Sequence, residues 1–285
     1  MAITINRLNP VMGAEVTGVD LAKLDDAGFE RLRDAFHEHH VLCVRRQDLS
    51  PAAQHAFSAR FGELEDQLNA DFVIPGHEKV LILSNDMKDG KPIGVIDAGD
   101  YWHSDSSHFP QPSLATILHA IQNPSRGGDT EFANMHLAYE TLPENMKKRI
   151  AGLRAIHAVS KLRNKRVSIS KRRPGAQDHY ERQLAIPEVV HPLVRTHPAN
   201  GKKALFISQR FTIGIENLPE AETDEILDFL FEHQVKRDFV YRHRWQDGDL
   251  VMWDNRSVLH RATGGYKDPD VRRMHRTVVA GDAPF

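Results

Sequence analysis

Short apolar runs cut by turns recur along this chain, and their spacing restricts the fold more than any other feature. Segments 239–244, 249–253, 258–262 and 274–280 are too short for ordinary helices and have the length of strands, with the turn Gln246-Asp247-Gly248 between two of them. Runs at 41–45, 80–83, 93–96, 115–120 and 203–208 read the same way, and Asp89-Gly90 turns the chain between the second and third of these. Helices are expected at four places. One covers 25–40, with Phe29, Leu32 and Phe36 on one face. A second runs from the cap Ser50-Pro51 to Gly62. A third covers 135–150 with a break at Pro143, and a fourth covers 219–234, with an acidic first turn and an Ile226, Leu227, Leu230 stripe. These helices do not alternate with strands regularly enough for a doubly wound sheet. The expected fold is mainly β with helical insertions, a sandwich or jelly roll.

No repeat and no linker marks a boundary, so a single domain over 1–285 is expected. A chain of this length buries a substantial core without disulfides. Its one cysteine, Cys43, lies in the apolar run Val41-Leu42-Cys43-Val44, which suits a reduced thiol in a cytoplasmic protein. No stretch has the pattern of an export signal or a membrane span. A formal net charge of −2 disfavours a dedicated nucleic-acid binder.

Histidine motifs need context here. With 17 histidines and 39 acidic residues, about two His-x-acid triplets are expected by chance. Two occur, His103-Ser104-Asp105 and His179-Tyr180-Glu181. Residues two apart on a strand share a face, so His103 and Asp105 can reach one ion, whereas the second triplet lies in a very polar stretch. With His260 they make two imidazoles and one carboxylate, a set that leaves about half of an octahedral sphere free. Taken alone, His103 reads equally well as a strand-end histidine beside a carboxylate. His37, His39 and His40 are read as the end of a helix, where partly cationic side chains suit the dipole.

The run from Gly248 through Trp253-Asp254-Asn255-Arg256 to His260-Arg261 decides between these readings. Together with Trp102-His103-Ser104-Asp105-Ser106-Ser107 and Gly127-Gly128-Asp129-Thr130 it resembles the iron(II)/2-oxoglutarate-dependent dioxygenases of the TauD/TfdA family. Met12 to Leu21, Phe61-Gly62 and His191 to Pro198 extend the likeness over nearly the whole chain. The resemblance implies a double-stranded β-helix (jelly roll), ferrous iron on His103, Asp105 and His260, 2-oxoglutarate as cosubstrate and dioxygen. It also implies that Arg272, assisted by Thr130, grips the distal carboxylate of 2-oxoglutarate. An arginine fork suits that task because two parallel N–H···O bonds fix orientation. Arg276, four residues on, shares a strand face with Arg272 and matches the arginine that binds the acidic group of the primary substrate. Arg273, between them, should face the other way and form an ion pair. Trp253 and Phe206 are expected as pocket walls, with Phe206 reaching the substrate.

The expected substrate is a small organic anion. The taurine-type histidine, tyrosine and asparagine are missing from Glu65 to Asp71 and from Ala98-Gly99-Asp100. The stretch from Ser84 to Lys91 looks more like the aryloxyalkanoate branch, with Lys91 as a further cation for a carboxylate, although that branch's lysine after Phe-Gly is not evident. A sulfonate dioxygenase releasing sulfite is the alternative, and a non-catalytic β-helix binding protein a more distant one. The basic segment 160–173 carries no acidic residue and reads as a solvated loop or as part of a lid at 160–186. No nucleic-acid or membrane partner is expected, and the family resemblance implies a homo-oligomer, dimer or tetramer.

Overall fold

The computed structural model describes residues 3–67, 69–96, 99–159 and 185–285. The triplet at 179–181 and nearly all of the lid at 160–186 lie outside them.

In chain order the strands are β1 (Thr4–Arg7), β2 (Ala14–Thr17), β3 (Val41–Val44), β4 (Val73–Ile74), β5 (His77–Ser84), β6 (Met87–Lys88), β7 (Lys91–Pro92), β8 (Ala115–Gln122) and β9 (Thr130–Asn134). Then follow β10 (Arg154–His157), β11 (Val189–Pro192), β12 (Val194–Thr196), β13 (Lys203–Leu205), β14 (Thr212–Ile215), β15 (Val240–His243), β16 (Leu250–Asp254), β17 (Val258–Ala262) and β18 (Arg273–Val279). The helices are α1 (Asp26–His39), α2 (Pro51–Ala59), α3 (Met135–Glu140), α4 (Glu144–Ile150) and α5 (Glu220–His233). The fold is mainly β.

One large sheet has the order β1-β2-β3-β16-β8-β18-β5-β4, and a small sheet has the order β15-β9-β17. Alternation on the strands builds three apolar layers. Val251 and Trp253 of β16, Leu118 of β8 and Met274 of β18 pack with Phe132 of β9 and Val258 of β17, so the two sheets face each other. The opposite face of the large sheet, with Leu250, Met252 and Ile117, packs on Leu32 and Phe36 of α1 and Phe57 of α2. Behind the small sheet, Ala133 and Leu259 pack on Ile226, Leu227 and Leu230 of α5. Each fully buried side chain of this size contributes about 1.5–3 kcal/mol.

Local chemistry sets the helix ends. Asp25 caps α1 by accepting the Gly28 N–H at 2.8 Å, and Ser50 caps α2 by accepting the Ala53 N–H at 3.2 Å, with Pro51 opening the helix. Pro143 splits the 135–150 region into α3 and α4.

Three sequence expectations change. The strand at 93–96 is absent: Asp89-Gly90 closes the small hairpin β6–β7, and Val95 makes only a single bridge to Leu83. The strand at 203–208 ends at Leu205. His40 does end α1, in left-handed conformation at φ 65°, but it is buried beside His136, and burial first, then His136, lowers its pKa to about 3. Its imidazole is neutral and serves the core, not the helix dipole. No helix among the described residues is long and apolar enough to cross a membrane.

Candidate metal and cosubstrate site

His260 lies on the inward face of β17, in step with Val258 and Ala262. The strand's backbone holds the His103 loop by an antiparallel bridge. The His103 N–H donates to the His260 carbonyl at 3.1 Å, and the His260 N–H returns a bond to the His103 carbonyl at 2.8 Å. Gly99, at φ +75°, lets the preceding loop cross this pair, since a Cβ there would come within 2.8 Å of His103 Cε1. His103 Nδ1 sits 2.8 Å from the Tyr101 carbonyl, which can only accept, so this nitrogen carries the proton and Nε2 keeps its lone pair. His103 Nε2 is 3.6 Å from Asp105 Oδ1, and His260 Nε2 is 3.7 Å from Asp105 Oδ2. Donors bound to one metal at about 2.1 Å stand roughly 3 Å apart. All three side chains offer atoms within 4.8 Å of one another, too far for strong mutual hydrogen bonds and close enough to share an ion.

Asp105 is held from behind. The Thr116 hydroxyl of β8 donates to Asp105 Oδ2 at 2.5 Å, and Asn255 Nδ2 donates to the Thr116 hydroxyl at 3.0 Å. Asn255 Oδ1 accepts the Asp105 N–H at 3.3 Å and Trp253 Nε1–H at 3.1 Å, while its carbonyl accepts the Ser104 hydroxyl at 2.7 Å. The turn carrying Asn255 is itself pinned by buried Asp254, on which Arg256 closes a two-point fork at 2.8 and 2.7 Å and His197 a contact at 2.9 Å. Burial raises the Asp254 pKa, but Arg256 and His197 outweigh it and hold the carboxyl well below its ordinary range.

The electrostatics suit a cation. Burial pushes the Asp105 carboxyl up, but His260, His103 and Arg276 more than offset it, and the group stays ionised. Burial first, then His103, brings the His260 pKa down to about 3, so its imidazole is neutral. His260 Nδ1 is buried without a hydrogen-bond partner. Two imidazole nitrogens and one carboxylate fit a ferrous ion with positions to spare.

A cavity opens beside these donors, lined by Gly99, Thr130, Trp253, Ala262, Arg272 and Arg276 together with Leu83 and Leu118. Arg272 is 9% exposed and makes no ion pair among the described residues. Its backbone N–H donates to Asn85 Oδ1 at 2.8 Å, and its Nε to the Gly128 carbonyl at 3.1 Å. Gly128 allows that approach, since a Cβ would meet Arg272 Cδ at 3.2 Å. The Thr130 hydroxyl accepts Trp245 Nε1–H at 3.0 Å. Arg276 pairs across β18 with Leu81 and Leu118, and its buried Nε lacks a partner. Arg273 faces away and pairs with Asp86. The Trp253 ring lies 4.7 Å from the His260 ring.

Two expected substrate contacts are elsewhere. Lys91 is exposed on the surface hairpin β6–β7, because the Asp89-Gly90 turn carries it away from the sandwich. Phe206 is buried just past β13, stacked on His157 at 5.6 Å with the Arg195 guanidinium at 4.9 Å, and does not line the cavity. Phe211, on the loop before β14, is the ring that reaches His103, at 6.3 Å. Thr116 was detectable in principle as a polar residue on the inward parity of an apolar strand. Asn255 lies in the motif that carries His260, and its bond to Asp105, 150 positions away, is visible only in the fold.

Against known proteins, residues 4–278 match the model of the taurine catabolism dioxygenase TauD, TfdA family. The 2,4-dichlorophenoxyacetate dioxygenase of Cupriavidus pinatubonensis, dependent on α-ketoglutarate, is 40% identical over 99% of each chain. The (S)-phenoxypropionate/α-ketoglutarate dioxygenase of Sphingobium herbicidovorans is 35% identical, covering 99% of this chain and 96% of that protein. A taurine dioxygenase structure from Burkholderia xenovorans superposes with a TM-score of 0.81 at 30% identity, covering 99% of this chain and 90% of that one. The chain belongs to the TauD/TfdA family. It is a 2-oxoglutarate-dependent dioxygenase, using Fe(II), 2-oxoglutarate and dioxygen.

Proposed function

We propose that this dioxygenase hydroxylates an aryloxyalkanoate-like carboxylate, with His103, Asp105 and His260 holding the iron. The arrangement that carries this reading is the donor trio beside a cavity lined by two arginines, Arg272 and Arg276, that form no ion pair among the described residues. The two relatives named for phenoxy acids support the substrate class. Bound ferrous iron with dioxygen and 2-oxoglutarate supplies the oxidant that converts a substrate C–H to C–OH, with succinate and carbon dioxide as coproducts.

The protein's own share is placement. Arg272, braced by Gly128, grips the distal carboxylate of 2-oxoglutarate with Thr130 beside it. Arg276 holds the acidic end of the primary substrate so that one C–H faces the reacting centre. Trp253, Leu83 and Leu118 keep water out. Hydroxylation at the carbon between the ether oxygen and the carboxylate gives a hemiacetal-like product, which collapses to a phenol and a 2-oxo acid. The facing sheets support a double-stranded β-helix (jelly roll) in one domain, and the buried thiol of Cys43 supports a cytoplasmic setting. We also propose a homo-oligomer, dimer or tetramer, checked by light scattering.

Succinate formation from 2-oxoglutarate with ferrous iron and ascorbate tests the reading across phenoxyacetate, phenoxypropionate and taurine. Phenoxy acids should stimulate turnover and taurine should not; stimulation by taurine alone would favour the sulfonate reading. Arg272→Ala should raise the KM for 2-oxoglutarate by about 10–100-fold, the loss of a charge-assisted fork.

A further inference from the structure

Among the described residues three arginines near the donor trio form no ion pair, and the reaction as proposed uses only Arg272 and Arg276. The third is Arg210, on the loop that leads into β14. Its guanidinium carbon lies 5.2 Å from the Tyr101 ring centre and 5.1 Å from the Phe211 ring centre. Both rings flank His103, Tyr101 at 5.0 Å and Phe211 at 6.3 Å. Nη1 of Arg210 is buried with no hydrogen-bond partner, and no ion pair reaches this residue among the described residues. Next to it His108 stacks on Phe211 at 4.6 Å, and it is 4% exposed with neither ring nitrogen partnered among the described residues. Several other buried or half-buried arginines are paired: Arg45 with Asp249, Arg256 with Asp254, Arg261 with Glu131 and Arg273 with Asp86. Arg195 also forms no ion pair among the described residues, but it packs on Phe206, which lies against His157 and His191, and not on the rings that flank His103.

Buried polar groups are ordinarily satisfied, and a cation held between two rings with an idle N–H has the form of half an ion pair. We propose that Arg210, with His108 beside it, receives a second anionic group of the primary substrate. The substrate class is then an aryl dianion: an aryloxyalkanoate whose ring bears a carboxylate or sulfonate, its ring lying against Tyr101 and Phe211. This rests on the proposed function, in which Arg276 takes the first acid and Arg272 the cosubstrate. The cation–π contacts restrain the guanidinium before the ligand arrives, which lowers the ordering cost of binding.

The test compares phenoxyacetate with 3- and 4-carboxyphenoxyacetate in the iron-loaded enzyme. In wild type, kcat/KM for one carboxylated isomer should exceed that for the parent. In Arg210→Ala the carboxylated-to-parent ratio should fall by about 10–100-fold, the loss of a charge-assisted hydrogen bond. Arg210→Lys should keep part of the ratio, and the KM for 2-oxoglutarate should stay unchanged. If Arg210 only packs on the rings, the alanine variant lowers the melting temperature and leaves the ratio intact, which overturns the proposal. Titrating the same three acids into Mn(II)- and 2-oxoglutarate-loaded protein by calorimetry separates the two readings. Arg210-dependent binding without turnover defeats the proposed reaction and supports the subsite. No binding of either carboxylated isomer by wild type defeats the subsite.

Discussion

Among the described residues two trios of ligand-type side chains lie in the space between the sheets, and they differ in how far their bonding capacity is already used. Cys43, His243 and Asp249 also bring their donor atoms within 4.8 Å of one another, and all three are buried. There most of the donors are already used, with Asp249 Oδ1 alone of its carboxylate oxygens buried without a partner among the described residues. Asp249 Oδ2 accepts from Arg45 Nη1 at 2.6 Å, the Gln246 N–H at 2.8 Å and His243 Nε2 at 3.3 Å, and the Tyr241 hydroxyl takes His243 Nδ1 at 2.9 Å. Burial first, then Asp249, pushes the Cys43 thiol far above its ordinary range, so no thiolate is on offer. At His103, Asp105 and His260 the corresponding lone pairs face one another across more than 3.5 Å and open on a cavity. Proximity of donor types makes a candidate; unspent donors make a site.

The difference can be broken by substitution. His260→Ala should reduce substrate-dependent succinate formation below about one-hundredth of wild type, since disturbing even the partners of metal ligands costs 10–100-fold. Cys43→Ala should leave turnover intact and cost about 1–2 kcal/mol in urea unfolding, as a small core deletion does. Equal losses of turnover in both variants would erase the distinction.

A smaller effect should follow from the groups behind Asp105. Thr116→Val removes the hydroxyl bonded to Oδ2, and Asn255→Ala removes the amide that orients both. Each should weaken Mn(II) affinity by about 10–100-fold by calorimetry, with the far-ultraviolet spectrum unchanged. Unchanged affinity would mean that the β17 backbone alone positions the carboxylate.

The part of this plan legible in the sequence was its periodicity and its motifs. Residues two apart share a face on β18, so Arg272 and Arg276 could be assigned to one side and Arg273 to the other, whereas β16, buried throughout, shows no alternation. β1, with the polar sequence Thr4-Ile5-Asn6-Arg7 and little burial, gives no such signal. Lys91 was misplaced because closeness in sequence to β5 says nothing about which way a hairpin leaves a sheet. Asn255 meets Asp105 and Thr116 from far along the chain, and those contacts exist only in the fold.

The smallest effect is on pH. Burial first lowers the His243 pKa, opposed by Asp249, so the folded chain keeps this ring neutral where the unfolded chain is protonated. Stability from it is full above the unfolded value near 6.5 and is lost as the pH falls below that value. Urea midpoints of the metal-free protein should therefore decline from pH 7.5 to 5. His243→Asn should flatten the slope by up to about 1.4 kcal/mol per pH unit. An unaltered slope would mean that His243 titrates normally.

The central claim is that one ferrous-type ion sits on His103, Asp105 and His260 and nowhere on Cys43, His243 and Asp249. Anaerobic calorimetry of the metal-free protein with Mn(II), run beside an Asp105→Ala/His260→Ala double variant and a Cys43→Ser variant, measures it directly. The account predicts one ion per chain in wild type and Cys43→Ser and none in the double variant. A bound ion that survives the double substitution, or that disappears with Cys43→Ser, would contradict it.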